Sequence, residues 1–190
     1  MRYPRDQKAK AREAILEAGA QALRVSGFNG IGVDGLAAAA GVTSGAFYSN
    51  FPNKEALLEG VIAACLGEPF IDPDAGSVAE RRELLRQWLA NYISPYHREN
   101  PAPGCVMPTL SADVARAGPP VREAYGRKML QLIEKMSKVL DGAEPDRERR
   151  AWSIVAMMVG AVAISRAMPD GEAPNRAIDS ALQTAISLID

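Results

Sequence analysis

Residues 27–58, GFNGIGVDGLAAAAGVTSGAFYSNFPNKEALL, constrain the fold of this chain more than any other stretch. Two short helical segments lie there on either side of Gly41-Val42-Thr43. The first, residues 33–40, is nearly all small residues, with Val33, Leu36, Ala37 and Ala40 on one face at i, i+3, i+4 and i+7. The second runs over about residues 44–50, with Thr43 placed as its N-cap. Gly41 stands where the first helix must stop and the chain must turn, a position that suits φ > 0. Two helices joined by a short turn containing Gly make a helix-turn-helix, whose second helix can enter a DNA major groove. The same spacing also fits any small αα-hairpin, so periodicity alone leaves both readings open.

The detailed string narrows the choice. GVTSGAFYSNFPNKEALL resembles the recognition-helix signature of TetR/AcrR-type transcriptional regulators, Gly-Val-Ser/Thr-x-x-x-Leu/Phe-Tyr-x-His/Tyr-Phe-x-x-Lys-Glu-x-Leu, which follows an amphipathic first helix. The matching residues are Gly41, Val42, Thr43, Phe47, Tyr48, Phe51, Lys54, Glu55 and Leu57 in one ungapped window. The resemblance covers the first third of the chain and implies an all-α protein of about nine helices. It implies a three-helix DNA-binding head over residues 1–52 and a ligand-binding and dimerisation domain over 53–190, with a connector helix at 53–67. One departure stands out. The family usually places a Ser or Thr before the second helix, capping it and contacting phosphate, and this chain has Ile31-Gly32 there. Gly is an acceptable N-cap, so a phosphate contact is put in doubt rather than the fold.

Composition agrees with a helical protein: 190 residues, 47% hydrophobic but only 6% aromatic, which is long enough for a sizeable core. The formal net charge is −1, which argues against a generally sticky nucleic-acid binder. Its distribution differs, because Arg2, Arg5, Lys8, Lys10 and Arg12 face only Asp6 within the first twelve residues. A basic run is often just a solvated terminus, but beside a helix-turn-helix it has an anionic partner. Cys65 and Cys105 lie far apart with no metal-ligand spacing, which fits a reduced, cytoplasmic compartment. No signal-peptide pattern opens the chain, and the apolar run 154–164 is too short to span a bilayer.

In order, the pattern predicts helices over about 7–25, 33–40, 44–50 and 53–67, then a Pro/Asp/Gly-rich loop at 68–76. Ser77 with Glu80 forms a capping box for a helix expected to run to about Asn100. Pro101-Ala-Pro-Gly104 breaks it, and helices follow over about 105–116, after Pro119-Pro120, from an Asp146 cap to about 168, and over 175–189. The segment from Trp152 to Ile164 is apolar on nearly every side, so it should be covered on all sides.

No catalytic constellation, phosphate loop or metal cluster is visible, so no cofactor is expected and an enzyme is the weakest hypothesis. The single histidine, His97, is expected to be an exposed polar residue at a helix end. Phe47 and Phe51 are expected to pin the second helix to the core. Thr43, Ser44, Gly45, Ala46, Tyr48, Ser49 and Asn50 are placed to face double-stranded DNA, with Gly45 and Ala46 small enough for close approach and Asn50 able to read adenine or touch phosphate. By the resemblance, Tyr48 and Lys54 contact phosphate. It also implies a cavity for a small-molecule effector, for which Trp88, Tyr92, Tyr96, Met107, Tyr125, Met129 and Trp152 are candidates, although all are most simply core. A homodimer interface is expected on the last two helices at Ala156, Gly160, Ala163, Leu182 and Ile186. Cys105, opening a helix after a Pro-Gly break, is a candidate sensor thiol, its plainer role being a small packing residue. A small-molecule-binding helical dimer without DNA function is the remaining alternative.

Overall fold

The computed structural model describes residues 5–189. Among them there are ten helices and no strand: α1 (Arg5–Ser26), α2 (Val33–Ala39), α3 (Ser44–Asn50), α4 (Lys54–Cys65), α5 (Val78–Tyr92), α6 (Pro95–Glu99), α7 (Met107–Arg116), α8 (Pro119–Val139), α9 (Glu144–Ala167) and α10 (Glu172–Ser187). The all-α expectation holds.

The turn between α2 and α3 follows from local chemistry. Gly41 sits at φ 65°, its N–H donates to Ala38 O and the Val42 N–H to Ala37 O, both at 3.0 Å. That pair is a Schellman C-cap, which satisfies two carbonyls the helix end would otherwise strand. Thr43 then caps α3 by accepting the Ala46 N–H, and Asn53 caps α4 by accepting the Ala56 N–H. The capping box of α5 forms in both directions between Ser77 and Glu80. Those hydrogen bonds hold the Glu80 carboxyl below its ordinary value, so the contribution of the box fades as pH falls through that lowered value.

A tenth helix appears where α5 was expected to continue. Pro95 has no N–H to give the Asn91 carbonyl, and the Ser94 hydroxyl takes that carbonyl instead, at 2.8 Å. The same hydroxyl accepts the His97 N–H at 3.1 Å and starts α6. The chain turns there and carries His97 inward. It is 7% exposed rather than on the surface, its Nδ1 donates to Tyr92 O at 2.8 Å, and its ring stands edge-on to Tyr92. Further on, α9 begins at Glu144 with Pro145 in its first turn, and Asp146 pairs with Arg149 and Arg150 instead of capping.

By packing, the chain forms two compact units, Met1–Glu68 with Pro101–Lys128, and Pro69–Asn100 with Met129–Asp190. In the first, α1 packs on α2, α3, α4 and α7 around Ile15, Leu23, Leu36, Phe47, Phe51, Leu57 and Leu58. In the second, α9 packs on α10 and α6, and α10 on α5. The apolar helix α9 is covered on one side only. Ile154, Val155, Met158 and Val162 are buried, whereas Trp152 and Ile164 are 40% and 57% exposed. By length and composition α9 could cross a membrane, but its buried stripe against α10 and α6 is that of a core helix in a folded domain.

Two glycines test the backbone argument with opposite signs. A Cβ at either Gly41 or Gly126 would meet nothing within 4 Å, so only backbone conformation differs. Gly41→Ala forces an L-residue to φ 65° and should cost about 1–2 kcal/mol. Gly126→Ala, inside α8, should stabilise by about 0.5–1 kcal/mol. Urea midpoints at unchanged m-value check both.

Candidate nucleic-acid interface

The reading face begins with what holds it. Phe47 and Phe51 are 0% and 2% exposed, with ring centroids 6.0 Å apart. They pin α3, and the Arg12 guanidinium lies 4.8 Å above the Phe51 ring. Both phenylalanines therefore serve the core, as the sequence implied, and the opposite side of α3 is left outward.

On that side Thr43, Gly45, Tyr48 and Ser49 are exposed, and Ser44, Ala46 and Asn50 half-buried. Tyr48 is 54% exposed and rests edge-on against Phe47 at 5.6 Å. The polar groups are engaged locally. Ser44 Oγ donates to Asp34 Oδ1 at 2.6 Å, Ser49 Oγ to Gly45 O at 2.9 Å, and Asn50 Nδ2 to Ala46 O at 2.8 Å. Asn50 Oδ1 is buried without a hydrogen-bond partner. Asp34, in the first turn of α2, went unnoticed in the sequence although an acidic residue is ordinary there.

Lys54 opens α4 and does not point freely outward. Its Nζ lies 4.3 Å from the centroid of Phe28. Burial lowers its pKa, opposed by the carboxylate charge of Asp113. Of the basic arm, Lys8, Lys10 and Arg12 are exposed, while Arg2 and the Arg5 side chain lie outside the described residues.

The expected effector residues fall in both units. In the first, Met107 is buried, and Tyr125 donates its hydroxyl to Ser111 Oγ at 2.8 Å, since the Ser111 proton goes to Met107 O. Burial pushes the Tyr125 phenol up, with the Ser111 hydrogen bond acting against it. Cys105 precedes α7, and the Met107 N–H donates to its Sγ at 3.4 Å. In the second unit, Phe70, Trp88, Tyr92 and His97 form a chain of ring contacts, and Trp88 Nε1 donates to Pro69 O. Met129 is buried there. Tyr96 and Trp152 lie outside the buried core, Tyr96 being 69% exposed.

On α9, Ala156 is exposed, Gly160 and Ala163 are half-buried, and a Cβ at Gly160 would meet open space. Leu182 and Ile186 of α10 are half-buried. Asp141, Gly142, Asp146 and Arg150 line an open depression of about 330 Å³. Arg150 is there committed to Leu188 O, Asp141 O and Asp146, which makes the place a clasp.

Comparison with known proteins agrees with this geometry. Residues 15–61, which hold α2, α3 and most of α1 and α4, match the family of bacterial regulatory proteins described as the tetR family. The fold of the whole chain is similar to that of E. coli NemR in its reduced form (22% identity, TM-score 0.74, 95% of this chain and 97% of that one). It is also similar to a TetR-family transcriptional regulator from Cytophaga hutchinsonii (21%, TM-score 0.71, 96% and 94%). A third similar structure is a TetR-family regulator from Rhodococcus sp. (20%, TM-score 0.67, 96% and 100%). No curated protein sequence matches the chain. Residues 15–61 thus match the tetR family of bacterial regulatory proteins, in a helix-turn-helix head, and the all-helical frame has the fold of the TetR-family structures.

The two ends of the reading face should respond differently to substitution. Asn50→Ala is expected to change preference at one base pair by ~1–3 kcal/mol. Lys54→Ala is expected to weaken binding to every sequence and to lower the salt slope by about one. Fluorescence anisotropy on a panel of single-base variants at several salt concentrations separates the two patterns.

Proposed function

We propose that this chain is a homodimeric, cytoplasmic transcriptional repressor that leaves a palindromic operator when a small, mostly apolar effector binds. The observation that carries the reading is α3, pinned by two buried phenylalanines with Thr43, Gly45, Tyr48 and Ser49 turned outward. Residues 1–52 act as the DNA-binding head and residues 53–190 as the effector-binding and dimerisation part, linked by the helix at 53–67. One such head reads few base pairs, so two-fold pairing and a palindromic site are the economical arrangement. Trp152, Ala156, Gly160, Ala163 and Ile164 follow at helical spacing along the uncovered side of α9, which suits close contact with a second copy. The effector side rests on the aromatic run through Trp88 and Tyr92, whose mostly apolar surface disfavours a strongly charged ligand.

Selection of bound duplex from a random pool, followed by a screen for small molecules that release it, tests the whole reading. Recovery of inverted repeats bound by a dimer is the expected result, and absence of any enriched sequence would sink it. Gly160→Glu places a charge on the uncovered face, so ultracentrifugation should show monomers. A dimer of undiminished stability would move the interface elsewhere.

A second reading makes Cys105 the sensor. It is favoured by the Met107 amide aimed at the sulfur at the start of α7, an arrangement that stabilises thiolate. With N-ethylmaleimide as probe, the thiolate adds across the ring double bond, a proton is taken up at the neighbouring carbon and nothing leaves. Treated wild type should then release operator while Cys105→Ser stays bound. Equal release from both would remove the thiol from the mechanism.

A further inference from the structure

The end of α1 is joined to the stretch ahead of and along α7 by three hydrogen bonds between residues 78 to 85 positions apart. Arg24 Nε donates to Ala102 O at 2.7 Å, Thr109 Oγ1 to Arg24 O at 3.0 Å, and the Phe28 N–H to Asp113 Oδ2 at 2.9 Å. The last of these falls just after Gly27, which turns the chain at φ 69°. Asp113 is a largely enclosed carboxylate, 12% exposed, whose other oxygen accepts from Arg116 at 3.1 Å. By fixing the Phe28 backbone it fixes the Phe28 ring, and that ring carries the ammonium of Lys54 at 4.3 Å. A carboxylate on α7, an aromatic face on the head and the lysine after the recognition helix thus form one contiguous cradle.

We propose that Asp113 is a positioning residue that attenuates DNA binding by holding Lys54 inward over Phe28, in competition with the phosphate Lys54 would otherwise neutralise. The inference rests on the DNA-binding reading above and adds the means by which α7 sets the strength of that binding. An ammonium above a ring face and near a carboxylate is favoured where it stands. A phosphate must draw it away or share it, and that cost is the same for every base sequence, because Lys54 reads none. The burial that depresses the Lys54 pKa and the Asp113 charge that opposes it have the signs such a cradle requires. Any shift of α7 relative to the end of α1 changes the cradle and hence the freedom of Lys54, without altering the face of α3.

Asp113→Asn tests this, because the amide keeps an oxygen to accept the Phe28 N–H and loses the charge, together with the bond from the exposed Arg116. The probe is a fluorescein-labelled duplex selected from a random pool by the wild-type chain, alongside an unrelated duplex. Affinity for both should rise about two- to five-fold, the scale of a partly exposed charge interaction. In a Lys54→Gln background the same substitution should change nothing. An unchanged or weaker Asp113→Asn overturns the inference, and so does an equal gain in both backgrounds, which would mean direct repulsion of DNA by the carboxylate. If circular dichroism shows that Asp113→Asn does not fold, Phe28→Leu removes the ring and leaves the carboxylate. It should tighten binding in the same lysine-dependent way, and no gain overturns the proposal. A wild-type chain that retains no duplex defeats the DNA-binding reading itself, an outcome distinct from all of these.

Discussion

A helix of seven residues cannot hold its own shape in water, and α3 has seven. Isolated helices shorter than about 12–15 residues are marginal even with favourable sequences. Helix α3 therefore exists because Phe47 and Phe51 are buried. Each such ring contributes roughly 1.5–3 kcal/mol by leaving water, and truncating one costs about 3–5 kcal/mol once the cavity is included. Fixing the helix from behind releases its front from any structural duty. Gly45 and Ser49 are weak helix formers, but together with the small Ala46 they let backbone approach another surface closely, and the two phenylalanines make that affordable.

The Ser44, Ser49 and Asn50 donors of α3 are satisfied at home, whereas Asn50 Oδ1 is buried without a partner. Ser49 and Asn50 return their donors to carbonyls one turn back, and Ser44 gives its proton to Asp34. Each exchange of such a bond for one to a nucleic acid involves only the small net difference of about 0.5–1.5 kcal/mol typical of protein hydrogen bonds. The face is thus poised, with donors held in order and free to be re-aimed. Phosphate affinity must come from cations, and there the head is restrained as well, since Lys54 lies over Phe28 and Arg12 over Phe51.

Features governed by chain neighbours were legible in the sequence. Gly41, Thr43, Asn53 and the Ser77–Glu80 box each obey a rule spanning at most five residues, and each took its expected place. The break at Ser94-Pro95 is equally local, but the apolar stripe of α5 continues through it and masks it, and with it the inward turn that buries His97. Lys54 is another kind of case. Its motif position announces a cation at a helix start, but its inward posture depends on Asp113 holding the Phe28 N–H 85 positions away in sequence, and no local pattern encodes that pairing. The one-sided cover of α9 was likewise hidden. Its apolar residues wind fully around the helix, and only packing reveals which of them a single chain can reach.

That helix is held at both ends by arginines reaching backbone oxygens. Near its start Arg150, 7% exposed, donates to Leu188 O at 2.8 Å and to Asp141 O, and meets Asp146 at 2.9 Å. Near its end Arg166 donates to His97 O at 2.6 Å and Arg98 O at 3.1 Å, the carbonyls at the C-terminus of α6. A guanidinium can be enclosed at acceptable cost when each face of its fork finds an acceptor, and helix C-termini supply carbonyls that lack partners of their own. The negative end of the α6 dipole adds to the second clasp. Tying α9 to α10 and to α6 in this way fixes its rotation about its own axis. Which residues lie on its uncovered side is then decided within the chain: Trp152, Ala156, Gly160 and Ile164 remain there because the arginines hold the buried stripe in place.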